Sequence, residues 1–138
     1  MKESVSNVLR WVSLPFVFFG VFTLVHIIAM LLNGSSISRM SYDGGPLPIL
    51  PMLIITFFAG AISAGAAIYS CSAVAPNHKR TVVWSTGIFC VIILLAGTVL
   101  SAIAHGWGMD LLRTIVDNIG AIIGSVFTMK SLLEEDLS

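Results

Sequence analysis

Charge is what this sequence has least of. Seven basic and seven acidic residues are spread over 138 positions, and they cancel. With no net charge there is no strong field to gather nucleic acid or an acidic partner, so no nucleic-acid binding is expected. Cysteine is almost absent. Cys71 and Cys90 form no CxxC pair and match no zinc spacing, which leaves no thiol framework for a metal or a redox couple. Both read as small apolar side chains. Gly-x-Ser-x-Gly and His-Glu-x-x-His are also missing, so neither hydrolysis nor acyl transfer has a motif to start from, and no enzymatic activity is expected.

Apolar residues fill the space. They make up 57% of the chain, and mean hydropathy is +0.98, well above the 45–50% or so of soluble domains. Four long runs carry most of it: Trp11–Leu32, Ile49–Ser70, Val82–Ala104 and Leu111–Met129. A spanning helix needs about 20 mostly apolar residues, so each run predicts one. The fourth is the weakest, with Arg113 and Asp117 in its first two turns. The first run is longer than the core of a secretory signal, and Leu-Leu-Asn-Gly is a poor cleavage site, so it reads as a retained helix. No room is left for a soluble domain. The expected fold is all-α, a single four-helix transmembrane bundle running up-down-up-down over residues 1–138.

Basic residues set orientation through the positive-inside bias. With a cytoplasmic N-terminus the inner face carries Lys2, Arg10, Lys79, Arg80 and Lys130, and the outer face Arg39 and Arg113. That balance predicts both termini inside. Trp11, Tyr69 and Trp84 then mark the inner interface, and Tyr42 and Trp107 the outer one.

The breaks between runs are turn chemistry. Asn33 to Pro48, with Asp-Gly-Gly and three nearby prolines, reads as the one sizeable loop, on the outer side. Asn33-Gly34-Ser35 matches a glycosylation sequon hard against the membrane. Pro51 can open the second helix, where a missing N–H costs nothing. Ala75-Pro76-Asn77-His78-Lys79-Arg80 is an inner turn whose basic group can touch anionic lipid, although it falls short of the four to eight charges of a lipid-binding cluster. Gly106-Trp107-Gly108 makes the last turn, and Asp110 is a reasonable cap for the fourth helix.

Small residues recur at helical spacing. The second helix carries Gly60, Ala64 and Gly65 among Ala59–Ala67, and the fourth has Gly120-x-x-x-Gly124. Helices in lipid associate by close packing, which small residues permit. These faces predict tight contacts inside the bundle, and offer a second contact to another copy or a larger membrane complex.

A polar layer appears when the runs are aligned by depth. His26 lies seven residues inside Asn33, and Asp117 seven inside Asp110. At 1.5 Å per residue both sit about 10 Å below the outer boundary. Thr56 and Thr98 reach the same level from the second and third helices. Gly20, Thr23, His26 and Asn33 are expected to share one stripe of the first helix. Arg113, Asp117, Gly120, Gly124 and Thr128 share one of the fourth, and Gly97, Ser101 and His105 one of the third. An up-down-up-down bundle makes helices one and four neighbours, so His26 can meet Asp117 directly. The alternative is a plain pair with Arg113, one turn above, which can neutralise the aspartate and snorkel outward. An ionisable group at this depth is expensive to keep and marks a candidate proton or cation site. His26 and His105 differ in depth by about 10 Å, which disfavours a haem between them and, with Asp117, a shared metal. No cofactor is expected.

A small-residue second helix, Gly60-Ala61-Ile62-Ser63-Ala64-Gly65-Ala66-Ala67, followed by the Ala75-Pro76-Asn77-His78-Lys79 turn, resembles small four-helix integral membrane proteins of bacteria. The resemblance covers about a third of the chain and implies an inner-membrane location and no activity. Small multidrug exporters fit badly, because the first helix has His26 where they place a glutamate. Membrane glutathione-transferase-like enzymes need an arginine- and glutamate-rich second helix, and quinone-linked disulfide enzymes need CxxC pairs. The expected role is therefore a small non-enzymatic subunit or interaction protein, with a proton- or cation-coupled transporter or channel using His26 and Asp117 as the alternative.

Overall fold

The computed structural model describes residues 2–40, 49–75 and 78–135. They form four helices: α1 (Lys2–Met40), α2 (Ile49–Val74), α3 (Lys79–His105) and α4 (Met109–Glu135). Each contains a stretch long and apolar enough to cross a bilayer. All are longer than the apolar runs. Hydropathy marks what lies in lipid, whereas a helix continues until something stops it. The largest difference is at Asn33, where a loop was expected; α1 continues through it for two turns to Met40. The rest of that segment, with Tyr42, Pro46 and Pro48, lies outside the described residues, as do Pro76 and Asn77 between the second and third helices. Pro15 sits inside α1, where it removes one backbone hydrogen bond, a loss that membrane helices tolerate.

Helix ends follow their local chemistry. Pro51 falls in the first turn of α2, where its missing N–H has no partner to lose. Beyond α2 the Ala75 N–H donates to the Cys71 carbonyl at 3.1 Å. His78 turns the chain in a left-handed conformation (φ 56°, ψ 44°), and its carbonyl accepts the Val82 N–H at 3.2 Å. Gly108 rather than Asp110 precedes α4, because the Leu112 N–H donates to its carbonyl at 3.1 Å. Asp110 instead lies inside the first turn, where its charge opposes the positive end of the helix dipole.

Contacts between helices give their directions. Phe57, Ala61 and Gly65 of α2 meet Gly120, Gly124 and Thr128 of α4 in rising order, so these two run parallel. Gly87, Cys90 and Ser101 of α3 meet Met129, Ser125 and Thr114 of α4 in falling order, so these run antiparallel. The order is up-down-up-down. The neighbours, however, are not those of a square bundle. Among the described residues the closest pair is α2 with α4, α2 also packs on α1 and α3, and α1 makes no close backbone approach to α3 or α4.

Side-chain size explains this arrangement. The buried face of α2 includes Thr56, Ala59, Gly60, Ser63, Ala64 and Ala67. A helix so thin on several sides can sit between its neighbours. A Cβ on Gly120 would collide with the backbone of Phe57, and one on Gly124 with that of Ala61. The small faces of α2 and α4 are thus spent on each other. Among the described residues, no wholly buried side chain is larger than Ile68.

The outer surface is apolar. Phe16, Ile103 and Phe127 are 76%, 78% and 73% exposed, an exposure only lipid can accommodate at this density. The helix with least cover is α1, with 6% of its apolar stretch buried against 28% for α2. Its inward residues are Leu14, Val17, Phe18, Val21 and Phe22. Phe18 and Phe19 reach the ring of Phe89 on α3 at 5.9 and 6.0 Å between centroids. The Cys71 thiol donates to the Leu14 carbonyl at 3.6 Å.

Candidate functional site

The polar layer divides into two clusters, one on each side of α4. The first joins α4 to α1. His26 Nε2 lies 3.9 Å from Asp117 Oδ2, although the two helix backbones do not touch. Gly60 of α2 makes the meeting possible. A Cβ there would come within 2.7 Å of Asp117 Oδ1 and collide with the Asp117 carbonyl oxygen. The bare backbone lets the carboxylate lie over α2 and face the far helix. One residue expected to pack helices is therefore also the seat of the acid.

His26 reaches inward because of its register. At about 100° per residue, Phe18, Phe22 and His26 stay within one face, while Gly20 and His26 lie about 120° apart. The expected stripe of Gly20, Thr23 and His26 is therefore split: Gly20 and Thr23 are exposed, and His26 stacks parallel on Phe22 with centroids 6.0 Å apart. On α3, likewise, Gly97 and His105 are exposed while Ser101 turns to α4.

Asp117 is paired with His26 rather than with Arg113. No ion pair joins Arg113 to Asp117 among the described residues. Both line one open groove of about 250 Å3, with Met30, Thr56, Asp110 and Thr114. The groove leads from the start of α4 down to the carboxylate. Thr56 is buried, and its hydroxyl donates to the Met52 carbonyl at 2.8 Å. Two buried atoms of the pair, His26 Nδ1 and Asp117 Oδ1, have no hydrogen-bond partner among the described residues.

The second cluster joins α4 to α3, and its centre is a residue the sequence reading passed over. Asn118 donates through Nδ2 to the Leu94 carbonyl at 3.1 Å and to the Thr98 hydroxyl. Thr98 in turn donates to Leu94 at 2.9 Å. Above and below lie Ser101 with Thr114 at 3.4 Å and Ser125 with Cys90 at 3.5 Å. The signal was present as spacing: Thr114, Asn118, Ala121 and Ser125 recur at four, three and four along one face. A search for charge and glycine does not register it. Thr98 thus belongs with Asn118, apart from His26 and Asp117.

Among the described residues no three His, Cys, Asp or Glu side chains converge on a point where a metal could sit. The chain matches no known protein family, no curated protein and no solved structure. What decides its class is the set of four apolar helices and their lipid-facing surface. This is a four-span integral membrane protein.

Proposed function

We propose that this membrane protein is non-enzymatic and works by taking up and releasing a proton at the His26–Asp117 pair. The observation that carries this reading is that the pair links two helices with no backbone contact and leaves one buried atom of each partner unsatisfied. Buried polar groups are nearly always paired, and ionisable groups at membrane depth are costly. An arrangement that is both deep and incompletely satisfied suits a site that changes its proton content. The pair offers one imidazole and one carboxylate, too few ligands for a metal ion, whereas a proton needs a single acceptor atom. The basic residues support termini on the cytoplasmic side of a bacterial inner membrane. The groove then opens outward, and proton exchange takes place with the outer face.

The test is a pH titration of His26 and Asp117 by nuclear magnetic resonance in lipid nanodiscs. A pH-dependent change in the Asp117 carboxyl signal that is altered in His26→Ala is expected, as for two groups that share one proton site. Independent titrations that ignore the other residue's substitution would sink the reading. Proton flux in proteoliposomes, lost in Asp117→Asn, separates a transporter from a sensor.

A second reading, a subunit of a homo-oligomer or larger complex, draws on α1. Gly20 has open space beside it, and an apolar groove with Pro15, Phe16 and Thr23 runs along the same uncovered face. The glycines of α2 and α4 no longer argue for a partner, because they are consumed within the bundle. A stoichiometric partner or defined oligomer, purified from native membranes, would favour this reading.

A further inference from the structure

The inner turn between α2 and α3 borders a cavity of about 370 Å3 at the end of the bundle away from His26. Its polar side is made by Lys79 and Arg80 from the first turn of α3, with Tyr69 and Ser72 from the last turns of α2. Its apolar side is Val83, with Leu132 and Leu133 from the last turns of α4. Neither cation forms an ion pair with another described residue. The start of α3 adds to the field: no acidic residue lies in its first turn and no side chain caps it, so its positive end is uncompensated. Glu135 closes the rim.

We infer that this cavity binds the phosphodiester headgroup of a membrane phospholipid. Lys79 and Arg80 face the phosphate, and the acyl chains leave along Val83, Leu132 and Leu133 into the bilayer. Three features select this ligand. The cavity stands where the apolar spans end, which is the depth of headgroups. Its lining is divided between cations and hydrocarbon, as an amphiphile requires. Two cations against one carboxylate at the rim leave the described lining with an excess of positive charge, which suits an anionic headgroup. Three basic residues in a row are too few for a diffuse electrostatic patch. A walled cavity needs fewer, because it holds the charge and the chains together.

Native mass spectrometry of the full chain in mild detergent tests this, with phosphatidylglycerol and phosphatidylethanolamine as probes and glycerol 3-phosphate as the soluble control. One lipid is expected to remain bound. Lys79→Gln with Arg80→Gln should weaken it roughly thirtyfold, from a factor of about five per basic residue. Because those charges also guide membrane insertion, Ala73→Trp serves as a second variant. Ala73 is exposed and lines the cavity, so the indole plugs it without touching the charges or the core, and it should abolish retention. Circular dichroism checks that both variants keep their helices. Unchanged lipid occupancy in either folded variant would overturn the inference. So would glycerol 3-phosphate binding as tightly as the lipids, because the chains would then contribute nothing.

Discussion

Asp117 and Asn118 are adjacent in the chain and opposite in circumstance. Asn118 turns to α3 and finds the Leu94 carbonyl and the Thr98 hydroxyl within reach. Asp117 turns to α1 and has a histidine at 3.9 Å and one oxygen with no partner. Both are polar groups at similar depth in an apolar environment. One is tied into a ladder of hydroxyl and amide contacts, and the other is held near its partner without being satisfied by it. Buried polar groups are nearly always satisfied, so the open valence on the His26 side is the exception that the proposed proton site explains. If that proposal holds, the two sides of α4 carry different duties, and substitutions should separate them.

The largest effect belongs to the seam beneath both. In Gly124→Leu the new side chain meets the backbone of Ala61, which cannot move aside. A loss of about 3 kcal/mol or more is expected, because overpacking against backbone has no soft neighbour to absorb it. Unfolding in mixed micelles, followed by helical circular dichroism, measures it. If Gly124→Leu instead left stability intact and changed only oligomeric state, the α2–α4 seam would not be internal.

A smaller effect is expected on the satisfied side. Asn118→Ala removes both bonds to α3 but leaves Thr98 bonded to Leu94. Interhelical hydrogen bonds in membranes contribute about 0.6 kcal/mol on average and up to about 1.7, so a cost of about 1 kcal/mol is expected in the same assay, with the His26–Asp117 titration unaltered.

The smallest change in stability should come from Asp117→Asn. The amide keeps the shape that fits over Gly60, and the bond it forgoes is long. A change within about 0.5 kcal/mol is expected, because the amide keeps the packing over Gly60 and no satisfied hydrogen bond is lost, while the coupled titration disappears. A larger loss than in Asn118→Ala would reverse the comparison and make His26–Asp117 a structural clamp.

Much of this was legible in the residues. The small positions Gly60, Gly120 and Gly124 were identifiable as packing sites because lipid offers helices little reason to meet except close fit. The level of His26 and Asp117 followed from counting rise along a helix. Other features were out of reach. A stripe drawn at steps of three drifts by about 60° each time, which is why Gly20 and His26 were placed together and lie apart. Arg113 was as close to Asp117 in sequence as a partner can be, yet the carboxylate turns to α1. Asn118 carries no charge and belongs to no familiar motif, so only a neighbour on α3 reveals its role.

The sequence by itself determined the solvent, the number of spans and the shared level of His26 and Asp117, because these depend on one helix at a time: on length, hydropathy and a fixed rise per residue. The tertiary structure alone decided who meets whom. Neighbours are chosen by how thin each face is when all four helices compete for cover, and that choice placed α2 at the centre, brought Gly60 under Asp117 and turned two adjacent residues of α4 to opposite sides.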